Sequence, residues 1–360
     1  MSEVKNVQKT GCAVIGYGGM GGWHTRYILE SDVAYLCGIY DINPVKVELA
    51  KTNGIRAYES LEELLADDEI KFVTIATPNE VHAEIAIKAL RAGKHVITEK
   101  PVVLNSKELE EVIAVANECG RLFTVHQNRR WDIDFRMMRE TYLSGKLGKV
   151  FSCESRIHGS RGVPGDWRGK PEHGGGMIYD WGVHLIDQML LIFEDKKIKQ
   201  VRCLCEHITN KEVDDGFKLD IIFEDDTVGH IEVGTHHFIS LPRFYMTGTA
   251  GAAIINAQKF VQTIRVMEGD KVTLTVSENM QACISSGKSN HKMTALPAAD
   301  YPTIPRLVTE DGFVVGQAVL KKMLSKVMFA MASNDQRPVL NGCYFRVSDD
   351  ELLTVSCDSY

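Results

Sequence analysis

The sequence predicts an α/β protein with an N-terminal doubly wound parallel (Rossmann) sheet and a C-terminal α/β domain carrying a large, mostly antiparallel open sheet. Three observations predict it. A glycine-rich turn, GYGGMGG from Gly16, follows the first apolar run. Short β-branched runs then alternate with amphipathic segments to about residue 128. From LGKVFSCESRIHG onward the pattern changes to longer alternating runs.

The first apolar run, CAVIG, reads as a strand, and GWHTRYILES after the glycines reads as a helix with Trp23, Tyr27 and Ile28 at helical spacing. Gly16, Gly18 and Gly21 form G-x-G-x-x-G, with Gly19 and Met20 inside it. The first glycine permits the turn, the second lets a pyrophosphate approach the backbone, and the third lets helix and strand pack closely. The next strand, VAYLCGIY, ends in Asp41, about twenty residues beyond Gly21, where the dinucleotide fold sets an acid against the adenosine ribose. A carboxylate there repels a 2'-phosphate, which favours NAD over NADP. The competing reading makes Asp41 a turn residue before Asn43 and Pro44.

The alternation continues with PVKVELAKTNG and SLEELLADD as helices, KFVTIATP as a buried strand, and NEVHAEIAIKALRAG as a helix ending at Gly93. KHVITEKP, SKELEEVIAVANECG and RLFTVHQNRR follow as strand, helix and strand. Right-handed crossovers then give an NAD-binding domain over residues 1–128, with ligand at the strand carboxyl ends. Beside the glycine turn and Asp41, the expected cofactor contacts are Thr77, Pro78, Asn79, His82, Glu99, Lys100 and Gln127.

Composition narrows the partners. The 360 residues are 44% hydrophobic and 25% charged with formal net charge -7, which excludes disorder and gives no general pull toward nucleic acid or an anionic membrane surface. No run approaches a membrane span, and MSEVKNVQKTG lacks a secretory pattern, so a cytoplasmic protein is expected. The nine cysteines include no C-x-x-C pair and read as buried free thiols.

Glu99-Lys100-Pro101 and GGGMIYDWGVHLID, residues 174–187, together with the amino-terminal glycines and ATPNEVH, resemble the Gfo/Idh/MocA oxidoreductases, the family of glucose-fructose oxidoreductase and inositol dehydrogenase. Read by themselves, Asp180, His184 and Asp187 at i, i+4 and i+7 share one helix face. Two other readings compete: a metal site, disfavoured because no further ligand cluster stands out, and a polar face with Asp180 near the helix amino end. The resemblance implies oxidation of a secondary hydroxyl of a sugar, cyclitol or glycoside, C3 of a glycoside included, by hydride transfer to NAD. It assigns Lys100, Asp180 and His184 to catalysis. His184 takes the hydroxyl proton, Lys100 stabilises the alkoxide, Asp180 holds a substrate hydroxyl, and a cis bond before Pro101 fixes the lysine. A dihydrodiol- or biliverdin-type reductase and a non-catalytic NAD-binding regulator are the alternatives, and the intact proton-transfer set disfavours both.

KIKQVRCLCEH, FKLDIIFEDDTVGHIEVGTHHF, RFYMTGTAGAAIIN, KFVQTIRVMEG and DKVTLTVSE read as antiparallel strands of a substrate-binding domain over residues 129–360. The resemblance implies a homodimer or homotetramer built on this sheet and a late helix, about 310–333, packing back on the first domain. RIHGSRGVPGDWRGKPEHGGG supplies candidate sugar contacts in Trp167, Arg168 and His158, joined by Arg129 at the end of the last parallel strand. Residues 284–307 read as an extended arm.

Overall fold

In the computed structural model, which describes residues 9–239, 241–255, 273–276, 281–286, 289–294, 319, 322–323, 326–327, 344–348 and 351–355, the first strand β1 (Thr10–Ile15) stands between parallel neighbours on both sides. Helices cover both faces of the sheet, so Cys12 to Ile15 are buried as a run instead of alternating. The chain then runs through α1 (Gly19–Leu29), β2 (Ala34–Tyr40), α2 (Pro44–Thr52), α3 (Leu61–Ala66), β3 (Phe72–Ile75), α4 (His82–Arg91), β4 (His95–Thr98), α5 (Ser106–Glu118) and β5 (Phe123–Val125). Local chemistry starts these helices where the sequence places them. The side chains of Asn43, Ser60 and Asn105 accept from the backbone N–H of Val45, Glu63 and Glu108. All strands are parallel in the order β2-β1-β3-β4-β5, so the order reverses at β1 and a crevice opens at the carboxyl ends of β1 and β3.

The second sheet has the order β11-β10-β6-β9-β8-β7, built from β6 (Val150–His158), β7 (Ile198–Glu206), β8 (Gly216–Phe223), β9 (Val228–Gly234), β10 (Phe244–Gly248) and β11 (Gly251–Ile255). Its pairs are antiparallel except β6 with β9, which run parallel, because the segment between them crosses over through α7 (Val183–Ile192). Along β8, Phe217, Leu219, Ile221 and Phe223 turn inward and pack with Leu185, Met189 and Ile192 of α7 and with Phe135 and Met138 of α6 (Ile133–Leu143). The other face carries the ion-paired, half-buried Glu154, Arg156, Lys218, Asp220, His230 and Glu232. Cys12 and Cys153 are buried as expected of free thiols, whereas Cys203 and Cys205 are exposed on the edge strand β7.

Beyond β11 the described strands pair only among themselves. β12 (Thr273–Val276), β13 (Gln281–Ser286) and β14 (Ser289–Thr294) form a three-stranded antiparallel sheet, so residues 284–286 and 289–294 of the expected arm are paired strand. In a separate unit beginning at Tyr301, β15 (Tyr344–Ser348) and β16 (Glu351–Val355) form a hairpin. The rest of the expected arm, the KFVQTIRVMEG strand and most of the expected helix at 310–333 lie outside the described residues; 319, 322, 323, 326 and 327 are helical.

Candidate active site

A cleft of about 810 Å³ runs from the carboxyl ends of β1 and β3 to the turn before α7. Gly16, Gly18, Gly19, Met20, Asp41, Thr77, Pro78, Asn79, Glu99, Lys100, Arg129, Trp167, Arg168, Asp180 and His184 all line it, so residues far apart in sequence converge as expected.

At the nucleotide end each glycine has its own physical reason. Gly16 sits at φ +92 with the Ala76 carbonyl where a Cβ would go, and a Cβ on Gly21 would stand 1.8 Å from Gly16 O. Gly18 and Gly19 face nothing within 4 Å, which leaves room for a ligand at the uncapped start of α1, a first turn with no acidic side chain. Asp41 is aimed by two backbone donors, Tyr17 N–H at 2.6 Å and Asn43 N–H at 2.7 Å. Thr77 Oγ1 is buried in the wall without a hydrogen-bond partner, as suits a group that completes its bonding on a cofactor.

Three expected cofactor contacts are not among the residues that line the cleft. Gly21 packs against Gly16 away from the cleft. His82 is fully buried and bridges two loops, with Nδ1 2.9 Å from Pro101 O and Nε2 2.9 Å from Thr77 O. Gln127 lies beside His184, where its Oε1 accepts from Nδ1–H at 3.1 Å while its Nε2 donates to Val183 O at 3.3 Å. His158, a candidate sugar contact, lines a different cavity and stacks on His237 at 4.2 Å.

At the end of the cleft next to α7 the Lys100-Pro101 bond is cis. Lys100 Nζ donates to Asp180 Oδ1 at 2.8 Å and to the Asp180 carbonyl at 2.7 Å. Two of its three N–H groups are thereby fixed and one remains for a ligand. The second bond depends on a feature the helical spacing did not reveal. Residues Ile178–Gly182 form a π-helical turn, in which Val183 N–H reaches back to Ile178 O. Asp187 does not join Asp180 and His184 in the cleft but pairs with Arg130 at 2.5 and 2.8 Å. Arg129 stacks on Trp181 at 4.2 Å and pairs with Asp132.

The Asp180 carboxyl titrates below its ordinary range: burial works to raise it, but the charge of Lys100 and hydrogen bonds from Arg168 and Lys100 outweigh that. Burial, with the charges of Lys100 and Arg129, pushes His184 down to about 3. The neutral ring donates through Nδ1 to Gln127, so the Nε2 lone pair is free to accept a proton. With a folded value below the unfolded one, His184 contributes less to stability as pH falls beneath the ordinary histidine range, because the unfolded chain takes a proton that the folded chain refuses. Arg129→Gln is expected to raise the His184 pKa relative to the parent. NMR of the ring Cε1–H against pH checks this, and an unmoved titration would show that Arg129 does not depress it.

Two side-chain clusters among the described residues bring three metal-ligand atoms within 4.8 Å of one another. In the first, buried Glu99 Oε1 accepts from His24 Nε2–H at 2.7 Å and His126 Nδ1–H at 3.0 Å. Burial raises the Glu99 carboxyl, but these two bonds hold it far below the carboxylate range, and the cluster is satisfied as a hydrogen-bonded set. In the second, His158, Glu232 and His237, the imidazole planes are 7° from parallel, so both rings cannot direct in-plane lone pairs at one ion.

Comparison with known proteins follows this division of the chain. The family profile described as oxidoreductase family, NAD-binding Rossmann fold, matches residues 10–127, and the GFO/IDH/MocA C-terminal domain matches 135–254. The Escherichia coli oxidoreductase YhhX is 31% identical over 270 residues, 72% of this chain and 76% of its own. An NAD-binding protein from Listeria innocua is 39% identical in a superposition covering 82% of this chain and 84% of that one, TM-score 0.67. The Schizosaccharomyces pombe oxidoreductase C115.03 is 43% identical, but the match spans only 38% of its length. Relatives with a named activity include Bacillus subtilis scyllo-inositol 2-dehydrogenase (NADP(+)) IolW, 34% identical over 43% of each chain, and E. coli D-glucoside 3-dehydrogenase, 26% identical over 52% of this chain and 55% of its own. Two profiles of another family also match: the N-terminal domain of the DNA polymerase III β subunit over 216–305 and its central domain over 314–360. The strand register assigns the overlap, since β8 to β11 belong to the sheet centred on β6 and β9.

Proposed function

The chain belongs to the Gfo/Idh/MocA oxidoreductases, an NAD-binding family, and from that premise we propose that it oxidises a secondary hydroxyl of a sugar, cyclitol or glycoside. The observation that carries the reading is the juxtaposition of Lys100, Asp180 and a neutral His184 in the cleft that the glycine turn and Asp41 also line. NAD, when bound, supplies the hydride acceptor. Gly18, Gly19 and the start of α1 hold the pyrophosphate, and Asp41 holds the adenosine ribose. The remaining Lys100 N–H donates to the substrate oxygen and stabilises the negative charge that builds there as its proton leaves. His184 Nε2 accepts that proton, and Gln127 keeps the ring in the tautomer that can do so. A ring this weakly basic suffices because a hydroxyl on a carbon that is losing hydride becomes strongly acidic.

The named relatives support the substrate class, with the inositol and glucoside enzymes acting on carbon-bound hydroxyls of cyclic polyols. Trp167 and Trp181 in the cleft supply aromatic faces of the kind that stack on such rings. Ile198, Val201 and Leu204 are exposed along the edge strand β7, which supports a homodimer or homotetramer built on this sheet. We place the boundary of the nucleotide domain near residue 128 and let the substrate domain close with β11, instead of running to 360 as expected. The strand pairing and the limit of the C-terminal family match support that boundary.

The test is nicotinamide absorbance during incubation with NAD or NADP and a panel of inositols, aldoses and O- and C-glycosides. It is run on the full chain before and after cleavage at a protease site engineered between residues 256 and 272. Expected is reduction of NAD by one class of cyclic polyol, unchanged by cleavage. Reduction by none would sink the substrate reading, and loss on cleavage would sink the boundary.

A further inference from the structure

Arg168 was expected to touch the sugar, yet its Nε and Nη1 are already committed to carboxylates. Its Nε donates to Asp180 Oδ2 at 2.8 Å and its Nη1 to Asp166 Oδ2 at 2.7 Å. Asp180 therefore has one carboxylate oxygen on each of two cations, Lys100 on Oδ1 and Arg168 on Oδ2, and it is only 8% exposed. A buried carboxylate with both oxygens so held cannot turn about its last side-chain bond without breaking a charge-assisted hydrogen bond.

The main chain of Arg168 is fixed to the same element. Its N–H donates to Asp166 Oδ1 at 3.0 Å, and its carbonyl accepts from Gly176 N–H at 2.8 Å. Asp180 N–H in turn donates to Gly176 O at 3.1 Å. Arg168, Gly176 and Asp180 thus close a ring, by two backbone bonds and one ion pair, across the turn that begins the π-helical segment. Two glycines make the approach possible. A Cβ on Gly175 would stand 2.5 Å from Arg168 O and 2.7 Å from Lys170 O, and Gly176 sits at φ +99.

We propose that Arg168 is a positioning residue: it fixes the Asp180 carboxylate so that Oδ1 and the adjacent main-chain carbonyl together orient Lys100, and it does not bind the substrate. The charge pattern agrees with this. Lys100 takes both of its protein acceptors from the single residue Asp180, so any rotation of that residue moves the ammonium from which the reacting oxygen takes its third N–H. Displacement of such a group by about an ångström costs on the order of 10² in rate. The Arg168 guanidinium also stacks at 4.6 Å over the Trp167 ring and covers one face of it.

The inference rests on the dehydrogenase reading for its kinetic consequence but not for its structural content, and the test separates the two. Full-length Arg168→Ala, Arg168→Lys and Arg168→Gln are compared with the parent using NAD with myo-inositol and with methyl β-D-glucopyranoside. Expected for Arg168→Ala is a kcat lower by about 10² with KM changed less than about threefold and NAD affinity retained. Arg168→Lys should be intermediate, and added guanidinium chloride at low millimolar concentration should restore part of the activity of Arg168→Ala, which a folding defect would not allow. A raised KM with kcat unchanged would place Arg168 on the substrate and overturn the proposal. The second measurement needs no substrate: 13C NMR of aspartate carboxyl carbons should show Asp180 titrating higher in Arg168→Gln than in the parent. If neither polyol reduces NAD, the dehydrogenase reading fails on those substrates and the titration decides. An unmoved Asp180 would overturn the positioning role.

Discussion

Lys100→Ala lowers turnover by about 10² to 10⁴ and leaves NAD affinity within about threefold of the parent, and His184→Ala does the same. Both side chains line the same cleft as the glycine turn and Asp41 but belong to other segments, and it is the turn and Asp41 that are proposed to hold the nucleotide. The two losses differ in kind. Without Lys100 the developing oxyanion loses its donor, and buried Asp180 loses the partner on Oδ1. Without His184 the proton has no acceptor, and Gln127 Oε1 loses its donor. The double variant should therefore fall little below the worse single variant, because the two groups act on one proton-transfer event. Stopped-flow absorbance with a saturating polyol substrate measures turnover, and calorimetric titration measures NAD binding. Near-parental turnover in both single variants would refute the assignment.

Gly21→Ala has the second large effect, and it falls on the fold before it reaches the cofactor. The added carbon would lie 1.8 Å from Gly16 O and 2.9 Å from Gly16 C, both backbone atoms that cannot swing aside. Either α1 withdraws from β1 or the turn opens, and overpacking of this kind costs about 1–3 kcal/mol. NAD affinity should fall by at least about tenfold, a loss of about 1.4 kcal/mol in binding, because the turn proposed to meet the pyrophosphate is the part displaced. Gly18→Ala is the informative contrast. Its Cβ would meet nothing within 4 Å and its φ of -80 suits any residue, so the protein should melt with the parent while losing NAD affinity to the methyl group placed in the cofactor's space. Thermal melts and NAD titrations of both variants check the pair. A Gly18→Ala protein that binds NAD as the parent does would show that the open space is not where the pyrophosphate lies.

What could be read in the sequence was local chemistry, and what could not was contact between distant segments. G-x-G-x-x-G was legible because Gly16 and Gly21 answer backbone requirements that spacing alone expresses. The site of Lys100, Asp180 and His184 was legible through the family resemblance, and the structure brings the three together. The partners that hold them were not. His24 and Glu99 are 75 residues apart, and Gln127 and His184 are 57 apart, with no periodicity linking them. In α1, Trp23, Tyr27 and Ile28 correctly marked a helix but misled about its inner face: Trp23 and Tyr27 are exposed, and Gly21, His24 and Thr25 are buried. His24 is inward because it serves Glu99, a purpose that hydrophobic patterning does not register.

The π-helical turn at Ile178–Gly182 also bears on how this site tolerates changes in chain length. Such a turn carries one residue more than the helix geometry around it requires, and that surplus residue is what offsets Asp180 from the register of α7. Deleting one residue between Asp180 and His184 would let the segment relax to a regular α-helix, where each residue turns about 100°, and would change the angle between those two side chains about the helix axis. A point substitution here is a graded injury, but a single-codon deletion would produce a well-formed helix with the aspartate facing elsewhere. The mutual placement of Asp180 and His184 is therefore stored in a residue count as much as in residue identity.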